Sequence, residues 1–469
     1  MVLIRNKFVF IVLCVSLLSA CSAFKERSLA PDFVVVPEEW GQKKTDKNLP
    51  SFWLEEFDQP ELRVYLDEAF NKNPTLLSQV AVVRLARQQI NTAGSGRWPQ
   101  FSAGLGSSRN KRSNSSGYSL SSEYSTSYNL SLDFNWEVDL WNRLGNGVKA
   151  KVYDAEAAQA DFEAARLSLA ANIVKTWFGA IEAKQQLHLS KQTVENYKSV
   201  LEVVEQGYDY GLYRALDVRL ARANMLGAKG RLQTYRIAKD QALRSLEVLL
   251  GRYPSASLEL PNALPVMKDN VSAGVPATLL RRRPDVIAAV ARFKAFDQHY
   301  IQAKKNRLPS IRLTGSGGTS ISDFKDVLNA DFLVWNFASG LVQPLFEGGR
   351  LDALRDEAEI RLEQSENLYK QTVLGALQEV EMLLSSTRWL HEQGQALEKT
   401  VDEANEAELL AGEDYVSGLS DINTLLQTQR QAFDAKSGLL ALKKLQLQNR
   451  VNLYLALGGP IVEEREVDE

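Results

Sequence analysis

Scarcity narrows the chemistry of this chain first. Only two cysteines and three histidines occur among 469 residues. Two cysteines exclude a disulfide framework. His188, His299 and His391 are scattered, so no Cys/His metal cage and no nucleophile–base set is expected. A dominant charge is missing too: 55 Lys and Arg against 58 Asp and Glu leave a formal −3. Without a basic excess to neutralise a phosphate backbone, nucleic acid is not an expected partner. The Gly315–Ser320 stretch is glycine-rich but lacks the lysine of a phosphate loop, and Arg281-Arg282-Arg283 is too short for nucleic-acid binding. The acidic residues are spread over helix faces, with no pair singled out for acid–base work, so the chain does not read as an enzyme. After residue 21 no run approaches the ~18 uncharged apolar residues of a transmembrane helix. With 45% hydrophobic and 24% charged residues, it nevertheless has the composition of a folded protein.

What is present begins at the N-terminus. Arg5 and Lys7 precede an apolar run from Phe8 to Leu18, followed by Ser19-Ala20-Cys21. A basic start, a short apolar core and small residues before a cut make a secretory signal over residues 1–20. Leu18-Ser19-Ala20-Cys21 also resembles the lipobox of bacterial lipoproteins. That resemblance implies cleavage before Cys21 and acylation of its thiol and new amino group, and Ser22 after it implies the outer rather than the inner membrane. Several acyl chains, at ~0.8 kcal/mol per buried CH₂, anchor a protein durably.

The rest is one unit written twice. Asn73-Pro74 returns as Arg283-Pro284 and Arg97-Trp98-Pro99 as Arg307-Leu308-Pro309, each 210 positions on. Tyr208-x-x-Gly211-Leu212 returns as Tyr415-x-x-Gly418-Leu419, 207 positions on, and Leu250-Gly251 closes one copy as Leu457-Gly458 closes the other. Several ordered matches at nearly constant displacement make a repeat.

Each copy reads helix, strand, loop, strand, long helix, tight turn, helix. In the first, spanning 73–250, strands are expected at about 100–108 and 125–138, a long helix at 144–207, a turn at 208–212 and a return helix at 212–250. The second, 276–458, has an opening helix from about 276 to 306, strands at about 310–317 and 332–344, a long helix at 347–412, a turn at 415–419 and a return helix at 421–457. The Ser/Gly/Asn-rich stretches 107–124 and 316–331 read as exposed loops. Tyr128, Leu130, Leu132, Phe134, Trp136 and Val138 alternate with Asn129, Ser131, Asp133, Asn135 and Glu137, a strand with one apolar and one polar face. Ile311, Leu313 and Gly315, then Trp335, Phe337 and Leu341, repeat that parity more weakly. The proline-free stretch from Leu144 to Gly207 would be roughly 95 Å long as a helix. Ala155, Ala158, Phe162, Ala165 and Leu169 predict one coiled-coil seam on it. Leu362, Ser365, Tyr369, Val373, Ala376, Val380 and Leu383 predict another in the second copy.

Ten-residue strands with opposite faces fit a membrane β-barrel, but four strands cannot close one: the smallest use about eight. Open edges in hydrocarbon would leave backbone groups unsatisfied, so copies of the chain must pool strands in a closed ring. The residues alone leave two, three or four copies open.

The order of parts, together with Phe52-Trp53, Phe57, Pro60-x-Leu62, Asn73-Pro74, Asp139-Leu140-Trp141-Asn142-Arg143-Leu144, Arg282-Arg283-Pro284-Asp285-Val286 and Leu455-Ala456-Leu457-Gly458-Gly459, resembles the TolC-like outer-membrane efflux proteins, in particular the lipoprotein branch paired with resistance-nodulation-division pumps. The resemblance implies a mainly α fold with a membrane β-barrel, in which three two-repeat protomers give a 12-stranded barrel and a periplasmic α-barrel tunnel of coiled-coil helices. It implies a lipidated segment 21–72 wrapping the equatorial region, an equatorial linker at 251–275 and a C-terminal tail at 459–469. It implies an outer-membrane exit duct conducting drugs or other small molecules passively, with a periplasmic adaptor and an inner-membrane pump as partners, outer-membrane lipid around it, and no cofactor beyond the lipid on Cys21. At the periplasmic gate it implies Asn423, Thr424 and Gln427, with amide and hydroxyl groups where relatives often carry Asp at the latter two positions. Asp421, one turn nearer the tip, either restores that charge or simply starts a helix. At the helix tips it implies adaptor docking on Gly211-Leu212 and Gly418-Leu419, glycines that also end helices. The rival readings are a type I protein-secretion outlet and a structural periplasmic lipoprotein without a pore.

Overall fold

The computed structural model describes residues 26–27, 37, 40–41, 53–116, 119–267, 276 and 281–459. Cys21, the signal, most of the expected segment up to residue 52, the linker residues 268–275 and the tail residues 460–469 lie outside the described residues. The helices are α1 (Pro60–Lys72), α2 (Pro74–Ser95), α3 (Arg143–Asp209), α4 (Ala215–Leu249), α5 (Pro284–Lys305), α6 (Arg350–Val416) and α7 (Ile422–Ala456). The strands are β1 (Gln100–Ser116), β2 (Ser119–Val138), β3 (Ser310–Ile321) and β4 (Leu333–Val342). The chain divides into two compact units, one of Met1–Phe33, Val82–Gln159 and Ala288–Lys370, the other of Val34–Ala81, Ala160–Ile287 and Gln371–Glu469. No described helix is long and apolar enough to cross a membrane.

The first unit holds the sheet, antiparallel throughout in the order β1-β2-β3-β4, so β1 and β4 are its edges. Phe101 opposite Phe134, Leu132 opposite Gly317 and Gly315 opposite Phe337 put the apolar positions of all four strands on one face. Gly104, Ser131, Gly318 and Val334 share the other face, which is otherwise largely polar. The first hairpin is longer than the expected strands, with its ladder running from Gln100↔Asn135 to Ser116↔Ser119. Much of the expected 107–124 loop is therefore strand. Backbone pairing needs no alternation, and outside an apolar slab both faces are free to carry Ser and Asn. In the second hairpin β3 reaches Ile321, and two short 3₁₀ turns, Phe324–Asp326 and Ala330–Phe332, occupy the rest of the expected loop.

Three helix expectations also shift. The expected 276–306 helix is broken at Arg283, because Pro284 restricts the residue before it. The expected start at 347 moves to Arg350, since Gly348 and Gly349 both have positive φ (59 and 82°). On α3 the expected alanine seam is only half-buried. Buried instead are Ala157, Ala160 and Leu167, then Ala171, Val174, Phe178 and Ile181 at three- and four-residue spacing. An alanine-rich helix has no single apolar stripe, so periodicity does not fix its rotation. On α6 Leu362, Ser365, Val373, Ala376 and Val380 of the expected seam are buried.

The second unit has two cores. One gathers Trp53 and Phe57 from a 3₁₀ turn (Trp53–Phe57), Leu62 and Leu66 of α1, Trp177 and Phe178 of α3, Leu246 of α4, and Val451 and Tyr454 of α7. Trp53 stacks on Tyr454 at 5.9 Å, and Glu56 accepts hydrogen bonds from Arg450 and from the Tyr454 hydroxyl. The repeat is visible atom by atom. The Asn73 amide donates to the Leu249 carbonyl (2.8 Å), and the Arg283 guanidinium to the Ala456 carbonyl (2.9 Å). Gly251 and Gly458, at φ 74 and 63°, end the two return helices close to the chain before the opening helix: a Cβ would stand 2.7 Å from the Lys72 carbonyl oxygen in one, closer than real contacts allow, and 3.1 Å from the Arg282 carbonyl in the other, a tight fit.

Candidate functional site

The second core lies beside the two helix turns and packs Val194, Tyr197, Leu201 and Val204 of α3, Ala221, Met225 and Ala228 of α4, Tyr415 of α6, and Ile422, Leu425 and Leu426 of α7. Both long helices stop in the same way. The Leu212 N–H donates to the Gly207 carbonyl (2.8 Å) and the Gly211 N–H to Tyr208 (2.9 Å). The Leu419 N–H donates to Asp414 (2.8 Å) and the Gly418 N–H to Tyr415 (3.1 Å). These paired bonds form a Schellman motif, whose left-handed residue is Gly211 (φ 75°) or Gly418 (φ 72°). The next residue packs against the preceding helix in many such ends, but here Leu212 and Leu419 are 75% and 79% exposed. Tyr210 and Val416 are exposed beside them. Two apolar knobs are thus held on rigid turns.

The return helices begin with the carboxylate at exchanged positions. Arg214 precedes α4, and Asp217 three residues on accepts from the Arg214 N–H (3.0 Å) and guanidinium (3.0 Å). Asp421 precedes α7 and accepts from the Thr424 N–H (2.9 Å) and hydroxyl (3.2 Å). Arg214 and Asp421 are equivalent by the 207-residue displacement, as are Asp217 and Thr424. Asp421 therefore starts the helix, and the Thr424 N–H holds its carboxyl below the usual carboxylate range. The Arg214 charge adds to that effect. Tyr213, from the first turn, stacks on Tyr415 at 5.1 Å and 16° between planes, and burial pushes the Tyr415 hydroxyl up.

Asn423, Thr424 and Gln427 share the exposed face of α7, opposite the buried Ile422, Leu425 and Leu426. Arg430 continues that face. A groove of about 1050 Å³ runs along α3, α6 and α7 past Val203, Leu409, Tyr415 and Val416. Glu408, on its wall, is pushed up by burial and lies 3.8 Å from Lys436.

In the first unit Glu26 and Arg27 are tethered. The Arg27 N–H donates to Asp297 (3.2 Å) on α5, and its guanidinium donates to Glu359 (2.9 Å) and lies over Tyr300. Glu26 accepts from Lys149 (3.3 Å), in the second turn of α3, and from Gln298 (3.0 Å) on α5. Arg27 is six positions after Cys21, a reach of at most about 20 Å. Among the described residues no group of three or more His, Cys, Asp or Glu is placed to hold a metal.

Sequence reasoning missed the Tyr213–Tyr415 stack, the Glu56–Arg450–Tyr454 cluster and the exchanged caps. Partners hundreds of positions apart leave no local signature. Only the caps had a signal, since aligning the copies at 207 sets Arg214 against Asp421.

Comparison with known proteins agrees along the chain. The sequence pattern of the outer membrane efflux protein family matches residues 65–252 and 275–459. The pyoverdine export outer membrane protein OpmQ of Pseudomonas putida is 28% identical over 416 residues, 87% of either chain. The cation efflux system protein CusC of Escherichia coli is 28% identical over 464 residues, 95% of this chain and 98% of that one. Among solved structures, one of CusC superposes with a TM-score of 0.81 at 25% identity, covering 93% of this chain and all of the other. The open-state MtrE outer membrane channel of Neisseria gonorrhoeae superposes at 0.79 with 27% identity, covering 91% and 96%.

Proposed function

Because the chain belongs to the outer membrane efflux protein family, we propose that it is the exit duct of a tripartite efflux system, passing drugs or other small molecules passively from an inner-membrane pump and its periplasmic adaptor to the exterior. One observation carries this reading: a four-stranded sheet with two open edges, apolar on one face and largely polar on the other. In lipid such a sheet must be completed by others, and three copies give twelve strands around a polar lumen. The chain works as a conduit, not a catalyst.

Acylation of Cys21 fits the tether. Arg27 and Glu26 hold the N-terminal segment beside the strand–helix junction, so lipid within about 20 Å reaches the periplasmic leaflet next to the sheet. Asn423, Thr424 and Gln427 line the periplasmic constriction as a neutral ring. Asp421 is engaged as the helix cap, one turn nearer the tip than that ring, and keeps its negative charge there. Gly211-Leu212 and Gly418-Leu419 are the tips that meet the adaptor, a role supported by two rigid turns that present exposed leucines.

Extraction from outer membranes should give a heat-labile trimer that forms pores in planar bilayers, and a deletion strain should become drug-susceptible. A folded monomer without conductance would overturn the duct. For the tips, Gly418→Trp should abolish drug export while trimers still assemble. Retained export would remove the docking role.

A further inference from the structure

The outward face of the first hairpin changes character along its length. On β2 it is apolar or aromatic from Val138 through Trp136, Phe134, Leu132 and Leu130 to Tyr128, whose ring meets Phe324 edge-on at 5.4 Å. At about 3.4 Å per residue and a tilt near 40°, that run covers roughly 25 Å of the membrane normal, the height of a barrel's apolar band with Tyr128 at its rim. Four residues further on, the same face carries Tyr124, paired across the ladder with Lys111, and Arg109 lies two residues along β1. The Arg109 guanidinium and the Lys111 ammonium both sit 5.3 Å from the centre of the Tyr124 ring. All three side chains are exposed, and among the described residues no carboxylate pairs with either cation. Arg112 has the opposite parity and sits across from Glu123 on the other face.

We propose that Arg109 and Lys111, held against Tyr124, form a docking site on the barrel's outer wall for the phosphorylated headgroup of an outer-leaflet glycolipid. The proposal rests on the duct reading, which sends the hairpin turn, at the sheet end away from the helices, to the exterior. Tyr124 lies about 10 Å beyond the rim, within the headgroup layer rather than the hydrocarbon. Same-face neighbours two residues apart are about 7 Å apart, a spacing that lets the two cations flank one phosphate. Arg supplies paired donors and Lys a point charge, and the ring face keeps both side chains extended before the lipid arrives. Cations in the apolar band would be costly, and in open solvent they would have no reason to share the barrel's outer face.

The test uses the full-length channel in phosphatidylethanolamine nanodiscs doped with bis-phosphorylated lipid A or with its dephosphorylated form. Native mass spectrometry counts the glycolipid retained per channel. Arg109→Gln/Lys111→Gln should weaken retention of the phosphorylated form by about thirty-fold per site, and the dephosphorylated form should bind wild type and variant equally. Equal retention of phosphorylated lipid by both proteins would overturn the proposal. Displacement of that lipid by an equal concentration of inorganic phosphate would also overturn it, since the site would then hold a free anion. Conductance through the same proteins is read separately. If neither conducts, the duct reading fails whatever the lipid count.

Discussion

At the residue scale, the two copies agree most closely where the backbone is most constrained. Gly251 and Gly458 share a left-handed conformation and a close approach to the carbonyl before Asn73 or Arg283, whereas Gly211 shares only the conformation, with open space within 4 Å of where a Cβ would stand. A side chain at any of them meets the left-handed penalty of roughly 1–2 kcal/mol. At Gly251 it also meets a carbonyl oxygen at 2.7 Å, closer than real Cβ contacts allow. Gly251→Ala should therefore lower the melting temperature of the purified oligomer clearly more than Gly211→Ala. Equal shifts would mean that the close approach to Lys72 does not constrain the fold. These glycines were legible in the sequence as repeat markers, while the reason for one pair, a carbonyl some 180 positions away, was not.

At the scale of elements, sequence period carried the strands and the long helices but not their ends or their rotation. The polar extension of the first hairpin escaped because alternation reports a boundary between oil and water, not hydrogen bonding. The seam on α3 was placed on Ala155 and its partners because small residues were read as contact points, while the burial falls on Ala157 and the larger Leu167, Val174 and Phe178. How α1 is fastened was equally hidden. Glu68 takes a hydrogen bond from Lys72, one turn on, and a bidentate pair from Arg252, in the segment after α4. The Arg252 guanidinium, with Lys72, holds the Glu68 carboxyl down at about 2, against an ordinary 4.5. A carboxylate with a depressed pKa stabilises the fold above its unfolded value and loses that contribution as pH falls through the folded one. Acidification from about 4.5 towards 2 should thus release α1 progressively. Glu68→Gln should have a lower melting temperature at neutral pH and a flatter decline over that acid window. An unchanged acid profile would show that other carboxylates set it.

At the scale of the whole molecule, charge decides what a ring of copies does to its cargo. A residue repeated by symmetry around an axis concentrates its charge there, and carboxylate rings bind cations. Here the exposed face of α7 offers an amide, a hydroxyl and a second amide at Asn423, Thr424 and Gln427, and the nearby carboxylate of Asp421 is occupied by the Thr424 N–H and hydroxyl. If these three residues form the constriction, it has no carboxylate to titrate, and its conductance should vary little between neutral and mildly acid pH. Gln427→Asp places three carboxylates at one level of the trimer. In planar-bilayer recordings it should bring block by added divalent cations, relieved on acidification as the new carboxylates protonate, with the wild type insensitive to both. Asp421→Ala is the counterpart: because that side chain caps α7, its loss should lower the melting temperature by the equivalent of about 1 kcal/mol and leave divalent sensitivity unchanged. If Gln427→Asp conducts as the wild type does with divalent cations present, residue 427 lies outside the constriction, and the narrowest point must be sought elsewhere along α7, starting with the Arg430 turn.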